Sequence, residues 1–182
     1  MTLIQILLFA HVASAIALFA ALAIEGVAQR GIERAATLEA AREWTAVWRI
    51  LPAVGVPAVL GALASGIYLA TVGHLWSTAW VQVAIPLLVV NAIAGAVGGV
   101  RRTSLQKELD SEARGADLRA RLVHPVFQAS WWARLVLIGA LLFVMTTRPA
   151  GAIVYALTGA AVVGAIVLFA MARRPERSAL TA

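Results

Sequence analysis

The chain contains no cysteine, which excludes disulfides, thiolate metal sites and thiol nucleophiles. Charge of either sign is scarce, at 13% of residues, against about a quarter in soluble domains. Acid is scarcer still: nine Asp and Glu stand against fifteen Lys and Arg, for a net charge of +6. Only Glu25 falls within an otherwise apolar stretch, so a Ser-His-Asp arrangement has no acid on the side where it would be needed. No His-x-x-x-His or carboxylate–His spacing marks a metal site within a helix. Gly95, Gly98 and Gly99 follow no strand and precede no closing lysine, so a phosphate-cradling loop is excluded. There is no internal repeat, no low-complexity linker and no stretch with the composition of a soluble module.

What remains is apolar: 62% of the 182 residues are hydrophobic, gathered in long blocks. Four uncharged runs cover Thr2 to Ile24, Ile50 to Val72, Ala79 to Val100 and Pro149 to Ala172, each of 22 to 24 residues. A bilayer-spanning helix needs about 20 such residues. In hydrocarbon every backbone N–H and C=O must be paired within its own segment, so each run should be an α-helix.

A fifth run is interrupted. Between Arg134 and Arg148 there are only thirteen uncharged residues. To cross, this helix must start near Pro125, a favoured first helical residue, and carry Arg134 into the bilayer. The count of basic residues supports that crossing. With five spans, fourteen of the fifteen Lys and Arg fall on one side and Arg148 alone on the other. By the positive-inside rule the amino terminus is then outside and the tail cytoplasmic. The basic residues sit at the ends of apolar runs, so membrane topology accounts for them and a nucleic-acid partner is not expected. The Ala13-Ser14-Ala15 stretch resembles a leader cleavage site, but no basic segment precedes it and the apolar run continues past it. An uncleaved anchor is the expectation.

The fold expected is therefore an all-α, polytopic membrane helical bundle: one integral membrane domain with five transmembrane helices, N-out/C-in. The helices are expected over about 3–28, 50–72, 79–100, 125–147 and 150–172. The location that follows is a bacterial inner (plasma) membrane, crossed several times.

Arg134 would lie roughly 10 Å below the inner surface, at 1.5 Å rise per residue. It either snorkels to the interface or pairs. Glu25 is the obvious partner, although counting from the helix ends leaves a vertical gap of roughly 13 Å. The other reading places Glu25 at the interface beside Arg30 or Arg101. The same arithmetic places His11, Ser14, Ser65, Asn91 and Thr158 in one layer, about 10–17 Å from the outer ends of their helices. Polar groups in lipid prefer to face one another. These five are candidates for a ligand or proton-relay site, imidazole being suited to proton exchange, or else ordinary hydrogen-bonded packing residues. Two imidazoles at one depth could hold a haem, but His74 lies roughly 15 Å above His11 by helical rise, and His124 is on the cytoplasmic side.

Gly95 and Gly99 form a GxxxG pair expected to let another helix approach closely, within the bundle or in a homo-oligomer. Ala62 with Gly66, and Ala160 with Gly164, repeat the spacing. Pro57 and Pro86 should kink the second and third spans. In the loop after the third span, Asp110–Arg114 and Asp117–Arg121 have i,i+4 spacing, which suggests a solvated helical extension. Trp44 and Trp48, with Trp76 and Trp80, are expected as interface anchors.

The segments HVASAIALFAALAIEG, LASGIYLA and RLVLIGALLFVMTTRP together resemble uncharacterised small bacterial membrane proteins of four or five helices. The His early in the first helix is also loosely similar to the copper-resistance D-type and membrane protoporphyrinogen oxidase families. The oxidase family's further His and Lys positions have no counterpart in this chain. What the resemblance implies is a haem or porphyrin role through His11.

The function expected is that of a non-catalytic scaffold, assembly factor or partner subunit, working in the lipid bilayer with a second copy or another membrane protein. The alternative is a small-ligand or ion permease, or a haem- or quinone-linked redox protein using His11.

Overall fold

A computed structural model describes residues 2–110, 121–122 and 124–172. The described residues form helices and no strands. The helices are α1 (Leu3–Arg34), α2 (Leu38–Thr45), α3 (Val47–Val72), α4 (Ala79–Asp110), α5 (Pro125–Thr147) and α6 (Ala152–Ala172). Five helical segments are long and apolar enough to cross a membrane: α1, α2 running into α3, α4, α5 and α6.

Local chemistry sets several of the ends. Thr2 caps α1 by accepting from the Gln5 amide, while the Gln5 side chain accepts from the Thr2 amide. Thr37 caps α2 by accepting from the Ala40 amide. His124 caps α5 through its ring, with Pro125 as the first helical residue. That start is the one the sequence expectation required. Arg148, in the left-handed region at φ 46, ends α5.

The helices extend further than the uncharged runs on the basic side. α1 continues to Arg34 and α4 to Asp110. α2 was not expected: it turns back on the end of α1, burying Ala41 and Thr45 while Glu39, Glu43 and Trp44 stay exposed. α3 runs through Pro52 as well as Pro57, and α4 runs through Pro86.

α1 packs chiefly on α3, α5 on α6, and α4 joins the two pairs by contacting α3, α5 and α6. The core has distinct layers. At the basic end Ala28, Ile32, Trp48, Leu105, Leu122 and Phe127 pack together. Below them lie Leu18, Leu22, Ala58, Leu88 and Ile138, and at the far end Val83, Val144 and Val154. The outward faces are apolar as well: Phe9 and Val100 are each 72% exposed. A continuous apolar surface of this kind marks a protein covered by lipid or by a partner.

Two tryptophan expectations divide. Trp44 is exposed, as an interface anchor should be, but Trp48 is buried at the basic end, stacked near Phe127. Arg114 and Asp117 of the loop lie outside the described residues. Arg121 reaches back to Glu108, at 3.0 Å for one of its two hydrogen bonds. Leu122 packs into the same core layer as Leu105.

Candidate functional site

Glu25 lies on the buried stripe of α1 with Leu18, Leu22, Ala28 and Ile32, a succession of three- and four-residue steps. The residue is 3% exposed, and its carboxylate is gripped from two sides. The Arg134 guanidinium of α5 donates to Oε2 at 2.6 Å, and the Arg102 guanidinium of α4 donates to Oε1. One acid and two bases thus bind three helices at a single buried point. The interface reading for Glu25 is corrected: neither Arg30 nor Arg101 is its partner, and both are exposed. The vertical gap estimated from the sequence also disappears. Counting depth from each helix's own end assumes that the ends share one height.

Each arginine is further positioned. A Cβ at Gly95 would stand 3.3 Å from the Arg134 guanidinium carbon, so the missing side chain leaves the room that guanidinium fills. Gly98 similarly stands near Arg102 and the Ser130 hydroxyl. The Arg102 guanidinium sits 5.6 Å from the Trp48 ring centroid, a cation–π distance. One turn further along α4, Gln106 donates to the Thr45 carbonyl at 2.7 Å. The Nε atoms of Arg102 and Arg134 are buried and have no hydrogen-bond partner among the described residues. Two guanidiniums and one carboxylate leave the cluster one positive charge in excess.

Within the bundle, this geometry replaces the helix-packing role expected of Gly95 and Gly99. Gly95 accommodates a side chain rather than a neighbouring backbone, and a Cβ at Gly99 would meet nothing within 4 Å among the described residues. Close helix approach occurs elsewhere. Gly26 lies under the Trp131 indole, whose Nε1–H donates to the Leu22 carbonyl at 2.8 Å. Gly61 and Gly66 of α3 face Ser14 and His11 of α1.

The expected polar layer is split. His11 Nδ1 lies 3.0 Å from the Ala62 carbonyl and 3.2 Å from the Ser65 hydroxyl. The Ser65 hydroxyl itself donates to the Gly61 carbonyl, so it can only accept from the ring. Nδ1 therefore carries a hydrogen and donates. His11, Ser14 and Ser65 therefore share the α1–α3 seam. Asn91 shares a face of α4 with Leu87 and Gly95, and that face meets α5 and α6. Thr158 belongs to α6, which packs on α5 and α4. Depth brought these residues to one level, but helix rotation points them into different seams. The Asn91 Oδ1 and Thr158 Oγ1 atoms are buried without a hydrogen-bond partner among the described residues.

The haem implied by the resemblance lacks a second imidazole. His74 is exposed just beyond the end of α3, and the His124 ring accepts from the Val126 amide at the other end of the bundle. The His11 ring itself is seated against Gly66, whose Cβ position is 3.0 Å from the ring carbon. A two-imidazole haem site is not formed. Among the described residues no group of three His, Asp or Glu could hold a metal ion.

Sequence reasoning missed Arg102. Its signal was available: residues 91, 95, 98 and 102 follow the four- and three-residue steps of one helix face. The run's apparent end at Val100 concealed it. Fold and site together define an all-helical bundle with five helices able to cross a membrane, closed by a buried Arg–Glu–Arg cluster. Compared with known protein families, characterised proteins and solved structures, the chain matches none.

Proposed function

We propose that this chain is a multi-pass protein of the bacterial plasma membrane, oriented N-out/C-in, that acts non-catalytically as a scaffold, assembly factor or partner subunit. The observation that carries the reading is the use to which its chemically capable side chains are put. Both Glu25 oxygens are held by arginines, the His11 Nδ1–H by α3, the Trp131 N–H by α1 and the Gln106 amide by the end of α2. Glu25 joins three helices, and each of the others joins two. The polar groups that could do chemistry serve cohesion, while the outward faces offer apolar surface to lipid and to a partner helix.

A second reading has one observation in its favour. The Asn91 Oδ1 atom is buried in α4 without a partner among the described residues, which suits a permease whose solute donates to it.

Purification from native membranes after mild cross-linking tests the choice. A membrane-protein partner recovered in fixed stoichiometry supports the scaffold reading. Solute flux in liposomes containing the chain alone, lost on Asn91→Leu, overturns it in favour of the permease. A Soret band abolished by His11→Ala overturns it in favour of a redox protein.

A further inference from the structure

A cavity lies away from the buried cluster, where α2 folds back on the end of α1. It has a volume of about 400 Å³ and is lined by Val27, Arg30, Gly31, Arg34, Ala35 and Trp44. Arg30 and Arg34 are one turn apart, about 6 Å by helical rise, and on the same side of the helix. Both are exposed, and neither has an ion-pair partner among the described residues. The neighbouring acid, Glu33, is turned to Gln29 instead, at 3.5 Å. The opposite wall is the Trp44 indole. Gly31 makes that wall: a Cβ there would lie 2.2 Å from the ring, so any side chain would push the indole aside.

The stripe of α1 leading into this cleft is informative. Ile16, Ala20, Ile24 and Val27 descend one exposed side in steps of three or four residues, and Ile16 is 65% exposed. The stripe then turns basic at Arg30 and Arg34. A single face thus passes from hydrocarbon-compatible to anion-attracting at the point where the helix leaves its apolar run. A tryptophan stands beside the change, where indole favours a bilayer interface.

We propose that this cleft is a binding site for one anionic phospholipid. Its phosphate sits between the Arg30 and Arg34 guanidiniums, its glycerol region lies against Trp44, and an acyl chain follows Val27, Ile24 and Ile16. Two features select this occupant. The guanidinium pair complements a phosphate and forms charge-assisted hydrogen bonds with it, and the apolar stripe complements a tail that a soluble anion lacks. The smaller cleft between α4 and α5, about 190 Å³, offers only one basic group, Arg101, and is the natural comparison. The proposal rests on the membrane reading above, which retention of the chain in carbonate-washed membranes tests separately.

The test is native mass spectrometry of the full chain released from detergent, with phosphatidylglycerol and phosphatidylcholine of identical acyl chains. The expected result is a phosphatidylglycerol adduct favoured about thirtyfold, since each of the two basic residues near an anionic headgroup contributes about 1 kcal/mol. Arg30→Gln with Arg34→Gln should abolish that preference. The double lysine variant should retain most of it, and Arg101→Gln should leave it unchanged. Equal binding of the two lipids, a preference that survives the double glutamine variant, or an equal loss in Arg101→Gln overturns the proposal. Displacement of the adduct by glycerol 3-phosphate at concentrations matching the lipid assigns the cleft to a soluble phosphate and overturns the lipid assignment.

Discussion

The Glu25 carboxylate of α1 meets the Arg134 guanidinium of α5 at 2.6 Å although they are 109 positions apart in the chain. Arg102 of α4 holds the carboxylate's other oxygen. The three groups do not play equal parts. Among the described residues Glu25 is the one anion between two cations, Arg102 buried and Arg134 partly buried, whereas each arginine can be removed and leave an ion pair behind.

That asymmetry sets the first prediction. Glu25→Ala should destabilise the bundle by about 3–5 kcal/mol, because it leaves both guanidiniums without a counter-charge. Arg134→Leu should cost less, since Glu25 keeps Arg102. Reversible unfolding of the purified variants in mixed micelles measures both. Equal losses, or none, would remove the cluster from its structural role.

Gly26 and Trp131 supply the second. Any side chain at residue 26 meets the Trp131 ring at about 2.5 Å and must displace it. Gly26→Ala should break the indole bond to Leu22 and cost about 1–3 kcal/mol, the range for overpacking a close contact. A change in Trp131 emission, isolated by replacing the other tryptophans with phenylalanine, reports the displacement.

On the α1–α3 seam the effect should be small. Ser65→Ala leaves the His11 Nδ1–H with the Ala62 carbonyl, so the loss should stay near 0.6 kcal/mol, the average for such bonds in membranes. His11→Leu should still insert and fold. Failure of the leucine variant to accumulate in the membrane, with Ser65→Ala normal, would give the imidazole a role beyond this seam.

The absence of cysteine makes orientation directly measurable. Single cysteines at exposed Ser77 and Ala150 should react with an impermeant maleimide added outside intact cells. Cysteines at Glu39 and Lys107, also exposed, should react only after the membrane is opened. The reverse pattern, or a mixed one, contradicts five crossings with the amino terminus outside.

The outline of the molecule is local in origin, and for that reason it was legible in the residues. Each long apolar run must satisfy its own backbone and so becomes a helix, and Pro125 announced where α5 begins despite Arg134. The pairing of Glu25 with Arg134 was within reach as one of two readings, because an intramembrane acid and base have few alternatives. What the residues did not disclose was direction around each helix axis. Arg102 belongs to the cluster because α4 turns its Asn91, Gly95 and Gly98 face towards α5, and the same rotation carries Asn91 away from His11 and Ser65. Trp48 left the interface for the core when α2 folded back, and Gly95 received a guanidinium where a helix was expected. Length and hydropathy act along one segment at a time, but rotation and seam partners depend on packing between segments, and only the assembled bundle decides them.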